Sequence, residues 1–277
     1  MNTLPPLFLS HGSPMLALEP GATGEFVARL GPAIDRAFGR PKAVLAVSAH
    51  STAREPVLLA SARQHAVYDF GGFPDALYQL QYNPPGAPEL APRVAALLGE
   101  AGERAHVLDQ GGLDHGIWSM LRFMYPEADI PVLPLAWMPH RPPAEQFAFG
   151  QALAALSDEG VLVMGSGSIT HNLRRVFAQG RADVGAPEIP ESRGFRDWFA
   201  ERSAARDWPA LWNYRRLAPS AADMHPTDEH LLPWFVAAGA GGEATAPLRL
   251  HEGVTYGCLG MDVYAFGPSA SALAAAL

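Results

Sequence analysis

Lysine is almost missing from this chain, and cysteine nearly so. Among the 20 residues that are Lys or Arg, Lys42 is the single lysine. A pyridoxal Schiff base or a P-loop would have to use it, and its setting, Arg40-Pro41-Lys42-Ala43, suits neither. Cys258 is the one cysteine, which excludes an internal disulfide and any multi-cysteine metal site. This usage fits a reducing compartment, and a cytoplasmic location is expected. No apolar run approaches the roughly 20 residues a membrane-spanning helix needs. Residues 1–6 carry no positive charge and no long apolar stretch beyond it, so no signal peptide is expected. There is no basic stripe either. With a net charge of −8, binding to nucleic acid or to an anionic membrane surface is not expected, and no pattern sets an oligomeric state.

What is present describes an ordinary globular protein. The 277 residues are 48% hydrophobic and 17% charged, enough to bury one large core without staples. Short apolar runs at residues 7–10, 43–48, 107–108, 132–137 and 161–164 read as strands. Amphipathic stretches at 25–38, 89–99, 117–124 and 144–156 read as helices between them. That alternation predicts a single α/β domain over residues 1–277, with a mostly parallel central sheet flanked by helices. The last third reads differently, with helices at 191–206 and 226–238 and a late strand or hairpin within 254–266. The segment from Tyr68 to Pro85 is rich in Gly, Pro and aromatic residues and reads as a loop walling a site.

The ten histidines are placed informatively. The first predicted strand runs directly into His11, and the second ends at Ala49-His50. The strand beginning at Val161 leads through Gly165-Ser166-Gly167-Ser168 to His171. Ligands of open α/β sheets bind at the carboxyl ends of the strands, and a buried strand needs no histidine there for packing. His230 follows Pro226 and the acidic pair Asp228-Glu229, and is read as projecting from the first turn of a helix. Converging neutral imidazoles suit Zn or Fe(II). His115, after Asp114 in a glycine-rich turn, either donates to a substrate or caps the next helix. His65, His106, His140 and His251 have no comparable setting and read as surface or structural. Gly165-Ser166-Gly167-Ser168 lacks the third glycine of a dinucleotide site and reads as a tight turn that lets backbone approach the site. No G-x-S-x-G elbow supports a serine hydrolase, and Cys258 reads as core.

Several segments occur together in a fixed order. They are Phe8-Leu9-Ser10-His11-Gly12-Ser13-Pro14-Met15, Val47-Ser48-Ala49-His50, Tyr68-Asp69-Phe70-Gly71-Gly72-Phe73-Pro74 and Leu113-Asp114-His115-Gly116-Ile117-Trp118. Met124-Tyr125-Pro126, Gly165-Ser166-Gly167-Ser168-Ile169-Thr170-His171-Asn172-Leu173 and Pro226-Thr227-Asp228-Glu229-His230-Leu231-Leu232-Pro233 follow. In this combination the chain resembles the 4,5-DOPA extradiol dioxygenase-like proteins, class III ring-cleaving enzymes of the LigB superfamily. The resemblance spans His11 to at least Pro233.

It implies one divalent metal per chain, held by His11, His50 and His230, with His171 as a fourth ligand or an acid/base residue and His115 against the substrate. Fe(II) is expected for activity, and Zn is compatible with the same ligands. The implied reaction is that of an oxidoreductase inserting O2 into a DOPA-like catechol to give a ring-opened semialdehyde. Many extradiol enzymes use two histidines and a carboxylate; here His230 takes the third place, with Asp228 and Glu229 beside it. Arg174 and Arg175, next to His171, are candidate partners for an acidic substrate. The alternatives are a zinc-dependent hydrolase or lyase on the same scaffold, which would turn over without O2, and a non-catalytic metal-binding protein.

Overall fold

In the computed structural model, residues 3–178 and 183–277 are described; Met1 and Asn2 of the N-terminal segment lie outside them. Ten strands follow in chain order. The first five are β1 (Leu7–Ser10), β2 (Ala43–Ser48), β3 (Val57–Leu59), β4 (His106–Leu108) and β5 (Val132–Ala136). The rest are β6 (Val161–Gly167), β7 (Leu248–His251), β8 (Val254–Thr255), β9 (Leu259–Gly260) and β10 (Val263–Ala265). Eight form one sheet in the order β4-β3-β5-β2-β6-β1-β10-β7, while β8 and β9 make a separate hairpin. The four central strands β5-β2-β6-β1 are parallel, and antiparallel pairs appear only toward the edges. This is the single α/β domain with a mostly parallel sheet that the alternation predicted.

The central strands are apolar on both faces because both faces are covered. Side chains alternate along a strand, and the core divides accordingly. Phe8, Leu45, Val47, Val161 and Val163 join one cluster, packed under the helices Ala91–Glu100, Pro143–Gln151, Pro190–Ala204 and Leu232–Gly241. Leu7, Leu9, Val44, Ala46, Leu162 and Met164 face the other cluster, under Gly21–Phe38, His115–Met124 and Ala270–Ala276. The helix Leu232–Gly241 is apolar all round and almost wholly buried, as a helix sandwiched within a core must be. Burying a side chain such as Phe235 or Val236 contributes about 1.5–3 kcal/mol each. No helix among the described residues is long and apolar enough to cross a membrane.

Three readings of local structure are corrected. The predicted helix over 226–238 starts only at Leu232. Pro233 has no N–H to bond back to residue 229, so it fits the first turn of a helix and not its interior. His230 therefore stands on the turn before the helix. Gly165-Ser166-Gly167 is not a tight turn but the last part of β6, paired with β1 and β2 on either side. The predicted helix over 144–156 breaks into Pro143–Gln151 and Ala155–Asp158. The late segment is both alternatives at once: the β8–β9 hairpin, then β10 returning to the sheet beside β1.

The parallel register sets Ser10 beside Gly167 and Ser48 beside Ser166, so β1, β6 and β2 end on one rim. The end of β1 is pinned from β10's side. The carbonyl of Asp262 accepts from Ser10 N at 3.3 Å and Ser10 Oγ at 2.8 Å. The buried Asp262 carboxylate is itself held by two donors of the buried Arg196 at 2.9 and 3.0 Å.

Candidate metal centre and cleft

His11 continues β1 by one residue, and its N–H donates to Gly167 O at 2.9 Å. His50 stands two residues beyond β2. His230 arrives from the opposite side on its turn, which is docked against the end of β6. The Ser168 N–H donates to His230 O at 2.8 Å, and a Cβ on Gly167 would lie 2.0 Å from that same oxygen. Gly116 serves likewise at the start of the helix His115–Met124, where a Cβ would sit 2.8 Å from His11 Nδ1 and from Ser48 Oγ. Asp114 caps this helix by accepting from Gly116 N at 2.9 Å. The same carboxylate accepts from Ser48 Oγ at 2.7 Å and Ser51 Oγ at 2.5 Å, so it fixes the chain on either side of His50.

The three imidazoles meet. His50 Nε2 lies 3.1 Å from His11 Nε2 and 3.3 Å from His230 Nε2, and the three candidate ligand atoms lie within 4.8 Å of one another. Metal–nitrogen bonds of ~2.0–2.1 Å place neighbouring ligands of a tetrahedral centre roughly 3.3 Å apart. The opposite ring nitrogens all face oxygen atoms. His11 Nδ1 is 2.9 Å from Ser166 Oγ, whose own proton goes to Gly116 O at 2.6 Å. His230 Nδ1 is 3.1 Å from Glu229 Oε1, and His50 Nδ1 faces Asp69 Oδ2 at 3.4 Å. With a proton on each Nδ1, three Nε2 lone pairs are left for one spot. A cation satisfies that arrangement, so the residues fit the implied metal.

Burial is the main cause holding His11 and His230 far below the ordinary imidazole range, reinforced by the neighbouring rings. His50 is lowered by burial and by His115, against the pull of Asp114, Asp69 and Glu229. All three rings are therefore neutral near pH 7, the form in which an imidazole binds a metal.

His171 lies beside this triad. Its ring stacks on His230 with centroids 3.5 Å apart and planes 7° from parallel. It is not within the group formed by His11, His50 and His230, and instead groups with His230 and Glu229. Its backbone N–H donates to Met224 O at 2.9 Å. Burial, with His225 nearby, pushes His171 down to about 3. His115 is buried next to the triad, its ring centroid 4.2 Å from that of His50, and it is the first residue of the helix that Asp114 caps. His225, not singled out in the sequence, is fully buried, with Nε2 2.7 Å from Ile169 O.

His225 gives a pH prediction. Burial pushes its pKa from the ordinary 6.5 down to about 4. The unfolded chain takes up this proton near pH 6.5 and the folded chain only near 4. Its contribution is intact above pH 6.5 and is lost as pH falls toward 4, about 3 kcal/mol in all. Urea unfolding of the metal-free protein between pH 7.5 and 4.5 is expected to show stability falling with acid, and His225→Gln is expected to flatten that slope. An equal slope in the variant would refute the assignment.

A cleft of about 1390 Å³ opens over the rim, lined by His50, His115, His171 and His230 together with Asp69, Phe70, Phe73 and Pro74. Only part of the predicted wall is wall. Tyr68 turns away and its hydroxyl donates to Leu80 O at 2.6 Å, while Tyr82 is buried. Of the two arginines, Arg175 is engaged by Asp223 and Glu191. Arg174 lines the cleft and forms no ion pair among the described residues. His106 pairs with Glu55, and His251 bonds Thr23 and stacks on Phe26, away from the centre. Cys258 is buried, and burial raises its thiol to about 11, as a core residue requires. The carboxylates Asp69 and Glu229 and the hydroxyl of Ser166 were assigned no contact with the histidines from sequence, although Glu229 adjoins His230 and Asp69 lies within the aromatic segment.

Comparison with known proteins bears on the whole chain. Residues 5–267 match the family model of the catalytic LigB subunit of aromatic ring-opening dioxygenase. A "4,5-DOPA dioxygenase extradiol" of Beta vulgaris is 36% identical over 261 residues, 94% of this chain and 95% of the relative. A protein of the same name from Escherichia coli K12 is 36% identical, with 93% of each chain covered. The crystal structure of an uncharacterized protein from Escherichia coli K12 superposes with a TM-score of 0.76 at 31% identity, covering 95% of this chain and 100% of the other. With the sheet, the rim of histidines and a match of this extent in agreement, the chain belongs to the LigB family of aromatic ring-opening dioxygenases.

Proposed function

We propose that the chain acts as one catalytic domain, an extradiol dioxygenase that opens a catechol ring with O2 at a centre held by His11, His50 and His230. The observation that carries this reading is the convergence of three Nε2 atoms at the floor of an aromatic-walled cleft, flanked by two further histidines. A divalent ion held there supplies Lewis acidity and, as Fe(II), the redox chemistry of O2 insertion. The relatives named for 4,5-DOPA support a DOPA-like substrate.

The protein's own groups have distinct tasks in this reading. Phe70 and Phe73 enclose the ring and limit water. His171, fixed beside the centre by its stack on His230, accepts a proton from a catechol hydroxyl and returns it as the ring opens. His115 holds the substrate. Arg174, the one Lys or Arg among the described residues lining the cleft, meets a substrate carboxylate.

The test is to load the protein with Fe(II), supply DOPA and simpler catechols under air, and follow the yellow ring-opened product and O2 uptake. Equal consumption of catechol and O2 is expected, with no turnover under nitrogen. His171→Ala is expected to lower kcat by about 10²–10⁴ while metal content stays as in the wild type. Loss of metal in that variant would make His171 a ligand and not the proton acceptor. The all-imidazole ligand set also favours a second reading, a zinc-dependent hydrolase or lyase. Turnover with Zn in the absence of O2 would select it.

A further inference from the structure

We propose that Asp69 is a positioning residue that sets the ring tautomers of two histidines at once, His50 at the metal and His115 at the substrate. The proposal deepens the reading of the cleft as a ring-cleaving site, and its role for His115 rests on that reading. Asp69 Oδ1 accepts from the backbone N–H of His115 at 2.9 Å. Both carboxylate oxygens lie 3.1 Å from His115 Nδ1, and Oδ2 is 3.4 Å from His50 Nδ1. One carboxylate thus faces the Nδ1 atoms of two rings whose centroids are 4.2 Å apart.

An ionised carboxylate accepts and cannot donate. A proton on each Nδ1 suits it, and both Nε2 atoms are then left with lone pairs. For His50 that lone pair joins those of His11 and His230. For His115, a cleft-lining residue, it is an acceptor for a substrate hydroxyl. Asp69 also sits directly before Phe70, whose ring stands edge-on to His115 at 5.6 Å. The aromatic wall and the metal ligand are therefore seated by one group. Outer partners of this kind orient metal-bound histidines and raise their basicity.

The same three residues could instead hold a second ion, since their ligand atoms also lie within 4.8 Å of one another. That would strip both Nδ1 protons and make His50 a bridge between two cations, while Asp69 Oδ1 is already committed to a backbone N–H. A proton on each ring is the simpler occupant.

The experiment compares wild type, Asp69→Asn and Asp69→Glu. Asn is isosteric but offers one acceptor, and its NH2 group would oppose an Nδ1–H. Zn(II) affinity is measured by chelator competition on the full chain, with metal stoichiometry and the absorption spectrum of the Co(II)-loaded forms. One Zn per chain is expected in the wild type. Asp69→Asn is expected to bind Zn about 10–100-fold more weakly with an altered Co(II) spectrum, and Asp69→Glu to recover part of the affinity. Wild-type affinity in Asp69→Asn, no recovery in Asp69→Glu, or a second wild-type equivalent that Asp69→Asn loses would each overturn the proposal. None of these readouts needs a catechol, so a failure of ring cleavage and a failure of this assignment are seen separately.

Discussion

His50→Ala is expected to abolish metal retention and ring cleavage together. His50 Nε2 is the nitrogen that those of His11 and His230 both approach, at 3.1 and 3.3 Å, and its removal leaves two imidazoles facing an open position. It also takes from Asp69 one of its two imidazole partners. With His50 as the proposed direct ligand, the loss of affinity should exceed the roughly 10–100-fold that follows from removing an outer partner. Metal analysis after gel filtration, with thermal unfolding as a check on the fold, reads this directly. His50 is half-exposed at the cleft floor and packs against no core cluster, so the variant is expected to fold. Full metal occupancy in a folded His50→Ala protein would remove the basis for placing the centre here.

Gly167→Ala is expected to damage both the fold and the centre. The added Cβ would lie 2.0 Å from the carbonyl oxygen of His230 and 3.2 Å from the ring of Phe8. Neither side can yield easily, because one is backbone and the other a fully buried ring. The turn carrying His230 must move off the sheet, breaking the bond from Ser168 N to His230 O. Overpacking and an unpaired buried group together amount to about 3–5 kcal/mol. Denaturant unfolding of the metal-free variant measures the first effect, and Zn affinity in the fraction that folds measures the second. Unchanged stability and affinity would mean that the close approach of turn and strand is misplaced.

Much of this architecture was legible in the residues. The apolar runs at β1 and β2 are continuous because both sheet faces are buried, and such runs stand out against amphipathic helices. Histidines at their ends marked the rim. Short outer strands were harder. β3 has three residues, of which Leu58 alone is fully buried, and carries too little pattern to register. Gly165-Ser166-Gly167 resembled a turn because glycine and serine are common in turns; its strand geometry comes from pairing with β1 and β2, which local composition does not encode. His230 was identified while its helix was misplaced, since Pro226 and Pro233 both suit a first turn and only packing separates them. Asp69 was invisible as a partner because it lies 46 residues from His115 and meets it only in the fold.

A triad made only of neutral imidazoles has a consequence for which ion the protein carries. Nitrogen ligands rank first-row divalent ions in the Irving–Williams order, with Cu(II) and Zn(II) above Fe(II). The ligands are also held in place by the sheet and its hydrogen bonds before any ion arrives. If the proposed centre is its function, such a socket would do little to choose its occupant, and mismetallation would be its natural hazard: the ion found in it would reflect the supply of the cell or the growth medium more than any preference of the polypeptide.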